Sequence, residues 1–249
     1  MPALRRKAGA GNPAPDELAV RLDRFLCNLP SLNRPQVQRL LAAGEVRVDA
    51  QVIRDGRHPV REFNRIEAAE QLLQAGKPAR YFMLHKPPGY VSATQHPEHP
   101  TVLELLDEPD KDELHLAGRL DLNTSGLLLI SNDGLWSRRV TQPTSLLAKV
   151  YRVETEQPIG PEYAQAFARG LYFQYEDLTT LPAELELIDS HSARLSLHEG
   201  RYHQVKRMFG HFQNKVIRLH RERIAGLPLD PQLAPGQYRA LTFAEIALF

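Results

Sequence analysis

The chain has 249 residues, of which 42% are apolar and 24% charged, and its formal net charge is +1. This composition is typical of a globular protein with one large or two unequal domains, and it excludes a largely disordered chain. No apolar run approaches the roughly 20 residues that span a bilayer, so we expect no membrane association.

The first segment, residues 1–17, is basic and rich in glycine, proline and alanine. It has too few large apolar side chains to offset the entropy of ordering, so we expect a mobile tail. Apolar residues at helical spacing then predict a helix from Leu18 to Leu29. A second helix is predicted between Asn33, a favourable N-cap, and Gly44, which would end it.

Two short strands are predicted at residues 46–48 and 51–53, joined by a tight turn at Asp49 and Ala50. The two helices and this hairpin resemble the S4 RNA-binding domain, which we place at residues 18–65. That family usually has glycine where Ala50 stands, so either the turn type differs or Ala50 carries backbone strain. The resemblance implies contacts with structured RNA through Arg21, Arg24, Arg34, Arg39, Arg47 and Arg54.

Residues 66–79 are mostly polar and are predicted to be a linker. From residue 80 to 249, strand patterns outnumber helix patterns and alternate with them irregularly. This order predicts a larger domain with a mixed, largely antiparallel sheet, and therefore an α+β protein.

The most informative stretch is Ala117-Gly118-Arg119-Leu120-Asp121, which is followed by Thr124-Ser125-Gly126 and the apolar run 127–130. Glycines on both sides of Asp121, just before a buried strand, indicate a carboxylate held by the backbone. By contrast, Asp133 is predicted to be the N-cap of the next helix.

Several common chemistries are not supported by the sequence. It contains no phosphate-binding loop, no dinucleotide fingerprint and no nucleophile elbow. His96 and His99 lie in a loop broken by prolines, which argues against a metal site. Residues 201–223 contain seven Lys or Arg and one Glu, a local excess of charge that indicates either a phosphate-binding surface or a solvated basic face.

Three separated motifs are similar to those of the pseudouridine synthases: residues 117–129, residues 149–153 and residues 199–208. Together with the S4-like domain and the Lys86-Pro87-Pro88-Gly89 turn, they resemble the branch that modifies small-subunit (16S) ribosomal RNA. The resemblance implies that 80–249 is a catalytic domain that isomerises a uridine to pseudouridine, without cofactor or metal.

The resemblance also implies roles for individual residues. Asp121 matches the catalytic aspartate, which acts on the sugar as nucleophile or as base. Lys206 matches a cation that keeps the carboxylate ionised, although many members have arginine there, and Arg207 is the alternative partner. Tyr151 matches the ring on which the flipped base stacks. Arg119, Arg201 and Arg207 are the remaining candidates for substrate binding.

Three other functions remain open from the sequence. The chain could be an RNA-binding assembly factor without catalysis, a synthase for large-subunit ribosomal RNA, or a glycosidase, although glycosidases usually pair two carboxylates. Cys27 is the only cysteine, which fits a reducing cytoplasm. We therefore expect a cytoplasmic monomer whose partner is ribosomal RNA or a ribosome-assembly particle.

Overall fold

The computed structural model describes residues 19–249. They are divided into two compact units, with the boundary in the sequence between Ala79 and Arg80. The tail predicted at residues 1–17 lies outside the described residues. The elements of the first unit are β1 (Val20–Arg21), α1 (Leu22–Cys27), α2 (Arg34–Ala43), β2 (Val46–Val48), β3 (Gln51–Val52), β4 (Pro59–Val60), β5 (Ile66–Ala68) and β6 (Gln71–Gln74).

The second helix forms as its sequence predicts. The Asn33 side chain accepts a hydrogen bond from the Gln36 amide, and the Gln36 side chain accepts one from the Asn33 amide. This capping box satisfies donors that a helix N-terminus otherwise leaves unpaired. Gly44 ends α2 with a φ of 76°, a left-handed conformation that glycine adopts without strain. The first helix is shorter than predicted, because residues 20–21 pair with β4 as a strand.

The predicted linker at 66–79 is wrong for its first half. Strands β5 and β6 extend the hairpin into a four-stranded antiparallel sheet of order β3-β2-β5-β6. Ile66 and Ala68 are buried in the core of this unit. Only these two residues show the alternation of a half-buried strand, so the polar residues around them dominate the sequence pattern.

The second unit begins at Arg80. Its strands are β7 (Tyr81–Lys86), β8 (His115–Leu116), β9 (Ser125–Ser131), β10 (Lys149–Thr155), β11 (Tyr172–Phe173), β12 (Leu178–Thr179), β13 (Glu184–Leu187), β14 (Ser192–Leu197), β15 (Val216–Ile224), β16 (Leu227–Pro228) and β17 (Tyr238–Ala240). Its helices are α3 (Gly134–Thr141), α4 (Pro161–Arg169), α5 (Gln204–Gly210) and α6 (Phe243–Ile246), with short 3-10 helices at Val102–Leu105, Lys111–Glu113 and Pro143–Ser145.

Nine of these strands form one sheet, whose main order is β13-β14-β10-β15-β9-β7-β17, with β16 beside β15 and β8 beside β9. All neighbours are antiparallel except β9 and β15, which are parallel. The fold is therefore α+β with a mixed, largely antiparallel sheet, as predicted.

Strand β9 lies in the middle of this sheet and is buried on both faces. Leu128 and Ile130 belong to one hydrophobic core, whereas Leu127 and Leu129 belong to the core on the other side. All four side chains are fully buried. Successive residues of a strand point to opposite faces, so a strand covered on both sides is apolar without alternation. Just after β9, Asp133 accepts hydrogen bonds from the amides of Leu135 and Trp136, which confirms it as the N-cap of α3.

The turn between β2 and β3 tests the strain expected at Ala50. Asp49 and Ala50 have φ values of 48° and 67°, so both residues are left-handed. This conformation costs a residue other than glycine about 1–2 kcal/mol. Glycine would remove that cost, but it also raises the entropy of the unfolded chain, which offsets about 0.4–1 kcal/mol of the gain.

We therefore expect Ala50→Gly to stabilise the hairpin by about 0.5–1 kcal/mol. Hydrogen exchange of the amides in residues 46–53 would measure this, as slower exchange. Ala42→Gly, in the exposed last turn of α2, is the matched control and should destabilise by up to about 1 kcal/mol. Faster exchange in Ala50→Gly would show that the left-handed alanine costs nothing here.

Candidate active site

The loop that carries Asp121 connects β8 to β9 and is held by hydrogen bonds at both ends. The amide of Ala117 donates to the carbonyl of Leu129, and the amide of Thr124 donates to the carbonyl of Asp121. The Ser92 hydroxyl donates to the carbonyl of Leu120 at 2.7 Å and accepts from the Leu120 amide at 3.0 Å. The backbone therefore fixes the carboxylate, as its position between glycines predicts.

A buried lysine is hydrogen-bonded to the same loop. Lys86 has no solvent-exposed surface, and its ammonium donates to the carbonyls of Pro87, Leu122 and Thr124 at 3.0, 3.1 and 2.8 Å. Burial lowers the pKa of Lys86 from its ordinary value of 10.5 to about 8. The sequence analysis treated Lys86 only as part of a turn, because lysine is rarely buried and no local pattern distinguishes this one.

The Asp121 carboxylate forms an ion pair with Lys206 of helix α5. Lys206 Nζ lies 2.9 Å from one carboxylate oxygen, and His203 Nε2 lies 3.5 Å from the other. The side chains of Asp121 and Lys206 are 28% and 34% exposed, so water and substrate can reach them. Spacing of three residues places His203 and Lys206 on one side of the helix start, a signal that would have identified His203.

Arg207, the alternative partner of Asp121, is engaged elsewhere. Its guanidinium makes two hydrogen bonds to the Glu176 carboxylate, at 2.5 and 2.6 Å, and lies 3.7 Å from the centre of the Phe173 ring. The hydrogen bond from Arg207 also lowers the pKa of Glu176. Arg207 does not line the cavity around Asp121, so the structure does not bring it together with the other predicted site residues.

A cavity of about 450 Å³ opens beside Asp121, and the predicted residues Arg119, Tyr151 and Arg201 all line it. Tyr151 is buried in the hydrophobic core and contributes its ring to the cavity wall. Arg119 is exposed and forms no ion pair with any residue in the range 19–249. Arg201 pairs with the buried Glu199 at 2.8 Å. The volume lies within the range of small-ligand pockets, about 300–1,000 Å³.

Three neighbouring strands set the position of Tyr151. Tyr151 of β10 lies opposite Arg221 of β15, and Arg221 lies opposite Gly126 of β9. Gly126 has a φ of 111°, and a Cβ atom at this position would collide with the backbone of Arg221. Glycine is therefore required where β9 and β15 approach each other, immediately after the Asp121 loop.

Arg221 is a residue of this site that the sequence analysis did not single out. It is buried, and its Nε donates to the carbonyl of Leu127 at 2.8 Å. Its Nη1 makes longer contacts, of 3.5 Å, with the Arg119 carbonyl and the Tyr151 hydroxyl. The local count of basic residues was the only signal for Arg221, and it does not distinguish a buried arginine from an exposed one.

Four of the seven cations in the basic segment 201–223 are paired with acidic residues, three of which are distant in sequence. The ion pairs are Arg201 with Glu199, Lys206 with Asp121, Arg207 with Glu176 and Arg218 with Glu154. The predicted excess of charge therefore does not form a uniform phosphate-binding surface.

In the first unit, four of the six predicted arginines line one cavity of about 700 Å³: Arg21, Arg24, Arg34 and Arg54. Arg21 is paired with Asp23, whereas Arg24 and Arg34 have no ion pair among the described residues. Arg39 and Arg47 are exposed but do not line this cavity.

Residues 19–249 contain no cluster of three potential metal ligands. No helix in the same range is long and apolar enough to cross a membrane.

Known families resemble both units of the chain. A family model described as RNA pseudouridylate synthase matches residues 80–211, and one described as S4 domain matches residues 20–66. The chain is 64% identical over 227 residues to ribosomal small subunit pseudouridine synthase A of Pseudomonas aeruginosa, with 91% of this chain and 99% of that protein covered. The protein of the same name from Escherichia coli K12 is 44% identical over 228 residues, with 92% and 99% covered.

A crystal structure described as a pseudouridylate synthase has a TM-score of 0.68 and 38% identity, and the match covers 92% of this chain and 100% of that one. The fold and site define an RNA-modifying enzyme with an S4 domain in front of its catalytic domain. The chain belongs to the RNA pseudouridylate synthase family. Both resemblances found in the sequence are thereby confirmed.

The buried Lys86 predicts a pH dependence of stability. Its pKa is about 8 in the folded protein and ordinarily 10.5, so between these values the unfolded chain binds the extra proton. The free energy of unfolding should therefore rise with pH over this range, by up to about 3 kcal/mol. Urea unfolding of the wild type and of Lys86→Met at both pH values isolates this contribution, and an identical pH dependence in the two proteins would contradict it.

Lys206→Met should lower kcat for pseudouridine formation roughly 100-fold, the loss typical when one charge-stabilising group is removed from an active site. RNA binding should change much less, because Lys206 contacts Asp121. Lys215→Met removes one exposed charge from the same basic segment and is the matched control. Single-turnover kinetics and RNA titrations separate the two effects, and a loss of binding as large as the loss of kcat would refute this role.

Proposed function

We propose that this RNA pseudouridine synthase converts one specific uridine of small-subunit ribosomal RNA to pseudouridine, using Asp121 as the catalytic carboxylate. The observation that carries the proposal is the Asp121–Lys206 ion pair at the edge of a cavity whose wall contains Tyr151. The relatives from Pseudomonas aeruginosa and Escherichia coli are named for the small ribosomal subunit, which supports this choice of RNA.

The reaction is an isomerisation and needs no external reactant. The N1–C1′ bond of the uridine breaks, the detached uracil turns, and a C5–C1′ bond forms. The proton on C5 leaves and N1 gains one, so atoms and electrons balance. The carboxylate of Asp121 assists at the sugar, either by adding to it or by removing a proton from it, and no cofactor or metal takes part.

The side chains around the cavity fit separate parts of this task. Lys206, whose ammonium lies 2.9 Å from one oxygen of the Asp121 carboxylate, orients that carboxylate. The flipped uracil stacks on Tyr151, which offsets part of the cost of extruding it. Arg119, an exposed cation at the cavity, binds a phosphate of the flipped nucleotide. Arg201 is fixed by Glu199 and borders the same space.

We also propose that the enzyme acts as a monomer, because the Asp121–Lys206 ion pair and Tyr151 all belong to the same domain of one chain. A cytoplasmic location, without membrane association, belongs to the same proposal because ribosomal RNA is the substrate.

The deciding experiment maps pseudouridines in both ribosomal RNAs after incubation with the purified protein, using naked RNA and assembling subunits in parallel. We expect one new pseudouridine in small-subunit RNA and none with Asp121→Asn, which keeps the shape of the side chain but removes its charge. Modification of large-subunit RNA would correct the substrate. Normal RNA binding without modification would favour an assembly factor, and release of free uracil would favour a glycosidase.

The arginines of the first unit predict a separate effect on binding. Replacing Arg24 and Arg34 with glutamine should weaken RNA binding and lower the salt-dependence slope by about 1.5–2, the value for two lost phosphate contacts. The double variant of Arg39 and Arg47 has the same change in charge but lies outside the shared cavity, so it should lose less. Equal losses would show that general charge, and not this cavity, holds the RNA. Titrations at several salt concentrations measure both.

A further inference from the structure

A second groove adjoins the catalytic cavity and has no assigned role. It lies between the hairpin β11–β12 and helix α5 and has a volume of about 900 Å³. His203 and Lys206 line both this groove and the catalytic cavity, so the two spaces are adjacent. A chain that places one nucleotide beside Asp121 would pass its neighbour into this groove.

Exposed aromatic rings form the outer wall of the groove. Tyr175, in the turn of the hairpin, is 96% exposed, and Tyr172 on β11 is 60% exposed. The hydroxyl of Tyr172 donates a 2.7 Å hydrogen bond to Asp177 across the turn. Fully exposed tyrosines contribute nothing to a core, and large exposed apolar groups around a groove are typical of a binding site.

The hairpin is tied firmly to α5 although its tip is exposed. Glu176, the neighbour of Tyr175, accepts two hydrogen bonds from Arg207, and Phe173 lies under the same guanidinium. This arrangement explains why Arg207 is not available to Asp121. It fixes the hairpin backbone next to Tyr175 relative to the helix that carries Lys206.

Basic side chains line the groove, and its two cations, Lys206 and Arg207, are each paired with a carboxylate, Asp121 and Glu176. Its basic or titratable lining residues are His203, Lys206, Arg207 and His211, and no carboxylate in the described part of the chain lines it. Aromatic rings beside basic side chains are the arrangement that binds single-stranded nucleic acid, in which bases stack and phosphates meet cations.

We propose that this groove is a second base-binding subsite, in which an unpaired nucleotide next to the target uridine stacks on Tyr175. The proposal rests on the proposed function for the identity of the RNA. Stacking of one base contributes about 1–3 kcal/mol, so its loss corresponds to at least about a 5-fold change in affinity. Once the target uridine leaves its own stack, its neighbour loses a stacking partner, and Tyr175 supplies another.

The first test measures turnover. With an RNA fragment that contains the target uridine, Tyr175→Ala should raise KM at least about 5-fold while kcat changes little. Tyr175→Phe keeps the ring and should restore the wild-type KM. Phe243→Ala is the matched control, because Phe243 is also an exposed aromatic, at 93%, and lies outside both cavities. An unchanged KM in Tyr175→Ala would overturn the proposal.

The second test does not depend on catalysis. A short single-stranded RNA with one uridine flanked by the fluorescent base 2-aminopurine is titrated with the full-length Asp121→Asn protein. We expect binding to quench the fluorescence of 2-aminopurine. A second substitution in the Asp121→Asn protein, Tyr175→Ala, should abolish this quenching, whereas Tyr175→Phe should preserve it. Equal quenching in all three proteins would overturn the proposal.

These two tests separate the proposals from each other. If the wild type forms no pseudouridine, the proposed function fails, and the fluorescence titration still decides whether the groove binds a base. If pseudouridine forms but neither KM nor quenching depends on Tyr175, only the groove proposal fails. If Tyr175→Ala is defective with assembling subunits but normal with free RNA, the ring contacts a protein, and the assignment to RNA is wrong.

Discussion

The site depends on the close approach of two parallel strands, β9 and β15, at Gly126 and Arg221. Strand β9 begins where the Asp121 loop ends, and β15 follows soon after the helix that carries Lys206. Their pairing therefore brings together two parts of the chain that are far apart in sequence. A Cβ at position 126 would collide with the backbone of Arg221, so β9 and β15 can approach this closely only because residue 126 is glycine.

Two buried cations stabilise this arrangement, and neither forms an ion pair with a carboxylate among the described residues. Lys86 and Arg221 donate mainly to backbone carbonyls of the residues that flank Asp121. A charged group in the interior is costly unless its hydrogen bonds are made, and the lowered pKa of Lys86 is the sign of that cost. In return, the Asp121 loop is fixed before any substrate arrives, which is what electrostatic preorganisation requires.

Local patterns of the sequence predicted what depends on neighbouring residues. The capping box of α2 and the N-cap at Asp133 follow from contacts within a few residues, and the buried strand β9 follows from its uninterrupted apolar run. The pairing of Arg207 with Glu176 did not, because it is decided by the hairpin that the fold places beside α5. Strands β5 and β6 were missed for a related reason, since β5 is stabilised by pairing with β2, and β6 by pairing with β5, and not by their own composition. The pairing of Asp121 with Lys206 was predicted from the family resemblance and not from the spacing of the two residues in the sequence.

The energetics of base extrusion link the two cavities of the catalytic domain. Removing a base from folded RNA costs a few kcal/mol, and the proposed stacking on Tyr151 would return only about 1–3 kcal/mol. A second stacking contact on Tyr175 would be made by a nucleotide that does not react, so its free energy contributes to positioning and not directly to bond cleavage. Helix α5 carries the cation of the ion pair and borders both spaces. Binding of the neighbouring nucleotide would therefore orient the target uridine over Asp121 through one rigid element, and discrimination among uridines would arise from the bases beside them.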